Sequence, residues 1–140
     1  MFNKILVALD GSEGSKKALL AALAIAKRFD AELQSISIKE QPSHYAATVG
    51  EVIEDQEEIG KYYAQVTAEA INLAEKEGVR LKCEIRSGHE VQAIVEFARH
   101  GHFDLLVAGF MGHSRVFDRI WGGTSQNLTR TAPCAVLVVK

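Results

Sequence analysis

Short apolar runs alternate along this chain with longer segments in which apolar residues recur every three or four positions. Residues 4–9 form an apolar run rich in β-formers, and residues 12–29 then carry alanine, leucine and isoleucine at helical spacing. Residues 104–108 are apolar after the leading Asp, as expected for a central parallel strand that is covered on both faces. This alternation predicts repeated strand–helix–strand units and restricts the fold more than any other feature of the sequence.

The whole pattern predicts five strands joined by helices. Strands are expected at residues 4–9, 32–38, 81–85, 104–108 and 135–139, and helices at 12–29, 52–77, 91–100, around 116–121, and in a last segment ending near 131. Ser12 or Ser15 is expected to cap the first helix, and residues 41–50, which lack periodicity, are expected to form a loop. Right-handed crossovers cover both faces of a parallel sheet, so the predicted fold class is α/β, a doubly wound, Rossmann-like, five-stranded parallel sheet.

Length and composition narrow the possible functions. The 140 residues predict one domain over 1–140, and 47% hydrophobic with 24% charged residues is typical of a globular protein. A net charge of −2 offers no basic field for nucleic acid, so no nucleic-acid partner is expected. No apolar stretch reaches about 18 residues and no signal peptide is recognisable, so we expect a cytoplasmic protein without membrane contact.

The cysteine and acidic residues carry no recognisable metal or redox motif. Cys83 and Cys134 lie far apart without a Cys-x-x-Cys motif or histidines at ligand spacing, so both are expected to be buried free thiols. The acidic run at residues 54–58 is interpreted as the solvated face of a helix. We therefore expect no protein-held metal site.

Two glycine-containing loops stand where such a sheet binds ligands, beyond the carboxyl ends of its strands. They are residues 10–14 after the first strand and residues 109–125 after the fourth. Gly109 and Gly112 allow backbone N–H groups to converge on an anion, while residues 122–125 present the free N–H groups of a helix start. Together these groups suit a polyphosphate, although a turn or a helix cap explains each glycine pair taken alone.

Other nucleotide motifs are absent from the sequence. Gly60-Lys61 lacks the upstream glycine and the following Ser or Thr of a P-loop, and Gly11-x-x-Gly14 is not the Gly-x-Gly-x-x-Gly of dinucleotide enzymes. The absence of these motifs argues against the kinase, GTPase and dehydrogenase functions that depend on them.

Three segments of the chain resemble the universal stress protein family in its nucleotide-binding branch. These are Ile5 to Asp10, the Gly88-His89-Glu90 helix start, and Gly109-x-x-Gly112 followed by nine residues and Gly122. The resemblance covers essentially the whole chain. It implies a fold similar to the adenine nucleotide alpha hydrolases, ATP or AMP as the ligand, with Mg as a candidate companion of the phosphates, and a homodimer formed through the last strand, residues 135–139.

One position departs from the family motif, because Gly123 stands where the family has Ser or Thr. Thr124 follows, and Ser125 falls on a second hydroxyl position of the motif. The missing hydroxyl is expected to cost about 0.5–1.5 kcal/mol of binding, so Gly123→Ser is expected to tighten binding by that amount.

The resemblance suggests further contacts near the base and the ribose. Asp10 corresponds to an acidic residue beside the ribose and adenine, although it is also placed to cap the first helix. Ala8 and Ile38 match positions that line the adenine pocket, and core packing explains both equally well. Met111, inside the glycine loop, suits packing against the base or ribose.

The three residues after Gly112 have two possible roles, and the sequence leaves both open. His113, Ser114 and Arg115 follow Gly112, where Arg or a protonated His can meet phosphate, and a solvated loop is the alternative. His89 is interpreted as structural, in or near a helix cap.

Three functions from different classes follow. The leading hypothesis is a stress-response module in which ATP or AMP alters residues 41–50 or a partner surface. The second is a slow ATP hydrolase or phosphotransferase, for which His113 is the only evident base, so no dedicated catalysis is expected. The third is a nucleotide-free dimeric scaffold, which the departure at Gly123 keeps open.

Overall fold

A computed structural model describes residues 1–40, 49–110 and 123–140 of the chain. The strands are β1 (Lys4–Ala8), β2 (Glu32–Lys39), β3 (Leu81–Ser87), β4 (Leu105–Gly109) and β5 (Ala135–Val139), and the helices are α1 (Glu13–Phe29), α2 (Val49–Lys76), α3 (Glu90–His100) and α4 (Gly123–Thr131). Each agrees with a predicted element to within a few residues. The helix predicted around 116–121 lies outside the described residues, as does most of the predicted loop, whose last two residues belong to α2. No helix in the described ranges is long and apolar enough to cross a membrane.

The described strands form one parallel sheet in the order β3-β2-β1-β4-β5. The chain builds outward from β1 through β2 to β3 and then returns to place β4 on the other side of β1. Ile5 of β1 therefore pairs with Leu33 of β2 on one side and Leu105 of β4 on the other. The predicted doubly wound α/β fold is confirmed, and the strand order reverses between β1 and β4.

Two apolar cores cover the two faces of the sheet. Ile5 and Val7 of β1 face α1 and α2, whereas Leu6 faces α3 and α4, and all three are fully buried. Alternate side chains of a strand point to opposite faces, so a strand covered on both sides must be apolar throughout. This burial is the physical reason for the uninterrupted apolar runs of β1 and β4.

Helix α1 begins directly after the turn that follows β1. Of the two predicted caps, Ser12 is the one observed: its Oγ accepts a hydrogen bond of 3.1 Å from the backbone N–H of Ser15. The Ser15 hydroxyl donates in turn to the Ser12 carbonyl at 3.0 Å. Asp30, with φ of 52°, ends the helix in the left-handed conformation. The start of α1 is thereby held at the carboxyl edge of the sheet.

Both cysteines are free thiols, as predicted, but neither is fully buried. Cys83 lies on the edge strand β3, and Cys134 lies directly before the edge strand β5, so each has neighbours on fewer sides than a central residue. Partial burial still raises the pKa of both thiols above the ordinary value.

Candidate functional site

A cleft of about 470 Å³ opens at the carboxyl edge of the sheet. The turn after β1 and the end of β2 form its floor, α2 forms one wall, and the first residue of α3 stands at its side. The lining residues are Asp10, Ile38, Glu40, Glu58, Ile59, Tyr62, Tyr63 and Glu90. Asp10 and Ile38 were predicted from the sequence, whereas the contributions of α2 and α3 were not.

Asp10 supports the turn after β1 and also lines the cleft. Its Oδ1 accepts a hydrogen bond of 2.9 Å from the backbone N–H of Ser12, which is the helix cap. The two alternatives for Asp10, a role at the helix start and a place in the ligand cleft, are therefore compatible. A carboxylate held in this way is ready to accept hydrogen bonds from sugar hydroxyls without first being ordered.

Tyr62 of α2 packs on the same turn, from 52 positions further along the chain. Its hydroxyl donates a hydrogen bond of 2.6 Å to the Asp10 carbonyl oxygen. A Cβ at Gly11, whose φ is 81°, would overlap the Tyr62 ring and lie 2.8 Å from Cγ2 of Val66. The left-handed backbone conformation therefore favours glycine at position 11, and a larger residue there would also displace the side chains of Tyr62 and Val66.

The sequence interpretation missed this wall of the cleft. The acidic run at residues 54–58 is exposed, as predicted for a solvated helix face, but the sequence did not indicate that Glu58 also lines the cleft. A usable signal was present, because Tyr62 and Tyr63 are adjacent aromatic residues within an otherwise polar helical segment. Their rings meet edge to face, with centroids 5.1 Å apart.

Ala8 and Ile38 lie on the face of the sheet that α3 and α4 cover. Ile38 is 6% exposed and belongs to the core cluster on that face, and Ala8 packs against the same cluster. Core packing therefore accounts for both residues. Ile38 in addition presents an apolar surface to the cleft.

Gly109 ends β4, and the packing of α1 explains why this residue is glycine. A Cβ there would lie 2.5 Å from both the carbonyl carbon and the oxygen of Gly14, and 2.9 Å from the nitrogen of Ser15. The next backbone N–H, that of Phe110, donates to the Val139 carbonyl at 2.9 Å, so it belongs to the sheet. A phosphate contact by Gly109 stays a prediction, but this glycine is required whether or not a ligand binds.

The three predicted residues at the start of α4 already have structural roles. Gly123 has a φ of 39°, a left-handed conformation that favours glycine. The Thr124 hydroxyl donates to Oε2 of Glu90 at 3.2 Å, and the Ser125 hydroxyl donates to the Phe110 carbonyl at 3.5 Å. The positive φ at Gly123 revises the expectation that Ser would improve this position.

Six of the residues predicted to contact the nucleotide belong to the segment 111–122. Met111, Gly112, His113, Ser114, Arg115 and Gly122 lie outside the described residues. Their contacts with base, ribose and phosphate stay predictions. His89 is observed at the N-cap position of α3, but its side chain makes no capping hydrogen bond.

The cleft is acidic on its described side. Its lining includes the carboxylates of Asp10, Glu40, Glu58 and Glu90, and no Lys or Arg is among the described residues that line it. Burial, followed by the nearby carboxylates of Asp10 and Glu90, raises the pKa of Tyr63 to about 12. Such a lining suits hydrogen-bond donors such as sugar hydroxyls or an amino group.

The part of the chain that the structure describes contains no metal site built from acidic, histidine or cysteine side chains. In residues 1–40, 49–110 and 123–140, no group of three or more His, Cys, Asp or Glu side chains is placed to hold a metal ion. The carboxylates of the cleft therefore do not converge as a ligand set within this part of the chain.

The strand order and the cleft define a doubly wound α/β protein with a polar cleft at the carboxyl edge of its sheet, which is where proteins of this class bind ligands. The chain belongs to the universal stress protein family, whose profile matches residues 1–140. The family predicted from the glycine motif is confirmed.

Individual relatives agree with this assignment. The chain is 31% identical over its whole length to universal stress protein MJ0531 of Methanocaldococcus jannaschii, and the match covers 83% of that relative. The solved structure of UspA from Lactobacillus plantarum has a TM-score of 0.89 at 25% identity, covering 99% of this chain and 98% of the other. A universal stress protein solved in complex with cAMP has a TM-score of 0.78 at 28% identity, covering 99% and 97% of the two chains.

Proposed function

We propose that this chain is a cytoplasmic stress-response protein that binds an adenine nucleotide at the carboxyl ends of β1 and β4. The observation that carries the proposal is the cleft beside the strand-order reversal, in a chain 28% identical to a universal stress protein solved with cAMP. Occupancy of this cleft would act on α2, whose Tyr62 already contacts the turn beneath it.

The described residues fit the two ends of a nucleotide. Ile38 and Tyr63 supply apolar surface for a base, and the Asp10 carboxylate supplies an acceptor for ribose hydroxyls. The first turn of α4 supplies backbone N–H groups for a phosphate. The finer prediction of ATP or AMP, with Mg accompanying the phosphates, is part of this proposal.

Identification of the co-purified ligand is the first test. The protein is denatured, its small molecules are separated, and any nucleotide is identified by mass spectrometry. Calorimetry with cAMP, AMP and ATP, each with and without Mg²⁺, then measures the affinities. An adenine nucleotide bound at one site per chain supports the proposal, whereas the absence of binding by all three contradicts it.

A double substitution locates the phosphate. By resemblance to the family motif, Gly112→Val with Gly122→Val is expected to abolish nucleotide binding while circular dichroism and sizing stay unchanged. Gly50→Val is a matched control, because a Cβ at Gly50 meets no atom within 4 Å. Nucleotide binding by the double variant at the level of the parent would place the phosphate elsewhere.

A nucleotide-free scaffold is the second candidate, and one observation favours it. The hydroxyls of Thr124 and Ser125, which were expected to contact phosphate, are both bonded to protein groups. In that case the chain would act through its surfaces. Strand β5 is at the edge of the sheet and its Leu137 is 37% exposed, so we propose β5 as the homodimer contact for either function.

A further inference from the structure

A second cavity, of about 430 Å³, opens at the amino edge of the sheet, at the opposite ends of the strands from the cleft described above. We call it the amino-edge cavity. Its charged lining residues are Lys4, Lys27, Asp30, Glu32, Arg80 and Lys82. The described residues that flank segments 41–48 and 111–122 lie at the carboxyl edge, so the amino-edge cavity is built from described parts of the chain. Its volume suits a small molecule.

The register of the sheet gathers polar side chains on one face of this cavity. Lys4 of β1 pairs with Glu32 of β2, and Gln34 of β2 pairs with Lys82 of β3. Gln34 also pairs with Leu6, so all four polar side chains lie on the face that α3 and α4 cover. The buried core of that face includes residues of β2 but, among the described residues, none of β3. The cavity therefore stays open beside β3.

Most of the charges around the amino-edge cavity have no ionic partner among the residues that the structure describes. Those without an ion pair are Lys27, Asp30, Glu32, Arg80 and Lys82. The Lys4 ammonium donates to the Gly101 carbonyl at 2.7 Å and lies 4.7 Å from the centroid of the Phe103 ring, and both of these partners are neutral. Four cationic side chains therefore line the cavity against two acidic ones.

This excess of positive charge indicates what the cavity can hold. An occupant with two negative charges would balance it, and the guanidinium of Arg80 is a fork that can donate two parallel hydrogen bonds to a carboxylate or a phosphate. The amide of Gln34 is half-buried and has no described hydrogen-bond partner, so it offers a further donor. The chain as a whole has a net charge of −2, so an excess of cations is particular to this place.

We propose that the amino-edge cavity binds a small organic dianion, a dicarboxylate or a phosphate monoester, through Lys27, Arg80 and Lys82. Leu33 and Phe103, at most 5% exposed, give the cavity an apolar floor for the carbon skeleton of the ligand. The site is separate from the proposed nucleotide site, because the length of the strands lies between them.

The test is an NMR titration of the intact, isotope-labelled protein with succinate, glycerol phosphate, acetate and the neutral diamide of succinate, all at one ionic strength. The two dianions are expected to cause saturable shifts of backbone amides in residues 26–34 and 78–82, and their relative affinities show which anionic group the site prefers. Acetate is expected to bind roughly tenfold more weakly, because it lacks one ionic contact, and the diamide is expected not to bind.

Two substitutions of opposite charge are expected to have opposite effects. Arg80→Gln removes the fork and is expected to weaken succinate binding roughly tenfold. Glu32→Gln removes a negative charge from the lining and is expected to tighten binding roughly threefold. Circular dichroism shows whether each variant is folded, and the comparison of succinate with acetate in the wild type tests the proposal without any variant.

Lys27→Gln and Lys17→Gln form a matched pair. Both lysines are exposed on α1, ten residues or about 15 Å apart, but only Lys27 lines the amino-edge cavity. The two variants change the net charge equally. Lys27→Gln is expected to weaken succinate binding roughly threefold, whereas Lys17→Gln is expected to leave it unchanged.

Four results would overturn the proposal. They are the absence of saturable shifts with both dianions, shifts that spread over exposed lysines and arginines throughout the molecule, equal losses of affinity in Lys27→Gln and Lys17→Gln, and unchanged or weaker binding in Glu32→Gln. The second and third would mean that the anions bind only through the general charge of the surface.

Discussion

Gly109→Ala places one methyl group between the end of β4 and the start of α1. Its carbon would lie 2.5 Å from the carbonyl carbon and oxygen of Gly14, and 2.9 Å from the nitrogen of Ser15. Carbon atoms in contact normally lie about 3.5–4.0 Å apart, so the overlap is about 1 Å. All three atoms belong to the backbone and cannot rotate away. The substitution therefore requires α1 to move off the sheet.

The loss of stability caused by moving α1 depends on the apolar side chains that this helix buries against the sheet. Its face against β1 and β4 includes Leu19 and Leu23, which are at most 2% exposed. Overpacking a core costs about 1–3 kcal/mol, and displacement of a whole helix start places Gly109→Ala near the upper end, at about 3 kcal/mol. For a chain of this size that corresponds to a decrease in Tm of about 10 °C.

Urea denaturation followed by circular dichroism at 222 nm measures the free energy of unfolding of the variant and the parent. Gly60→Ala is the matched control, because Gly60 lies inside α2 and a Cβ there meets no atom within 4 Å. The control is expected to stabilise the protein by up to about 1 kcal/mol, since Ala is the better helix former. A Gly109→Ala variant within about 0.5 kcal/mol of the parent, which is about the error of such measurements, would refute the packing argument.

Three further substitutions test the turn, the start of α4 and the edge strand. Tyr62→Phe removes the hydrogen bond to Asp10 and is expected to lower the free energy of unfolding by about 0.5–1.5 kcal/mol in urea denaturation; no change would mean that this bond contributes nothing. Gly123→Ser is expected to lose about 1 kcal/mol of stability to its positive φ and to change nucleotide affinity by less than about threefold, measured by denaturation and calorimetry; a tenfold gain would show that the hydroxyl outweighs strain. Leu137→Lys is expected to convert the proposed dimer to a folded monomer in light scattering, and a persisting dimer would place the contact elsewhere.

Local sequence was sufficient for the elements and the fold class. The run from Ile5 to Val7 is apolar at every position, which only a strand buried on both faces requires, and the helical spacing of residues 12–29 identified α1. Both patterns are local, because residues close together in the sequence lie in the same strand or helix and are buried by the same neighbouring elements. For the same reason, the turn after β1 could be assigned to the carboxyl edge before any contact was known.

The described walls of the cleft were decided by tertiary structure. Tyr62 reaches the Asp10 turn across 52 positions, and Glu90 reaches Thr124 across 34. Periodicity shows which face of a helix is polar, but it does not show what that face meets after the chain has crossed the sheet. Gly109 is a second example of what the sequence alone does not reveal. Its sequence context suggested a phosphate-binding turn, whereas the tertiary structure shows that the backbone of α1 packs where a side chain would lie. Contacts of this kind depend on how closely separate elements approach, and that distance is set by the packing of the whole domain.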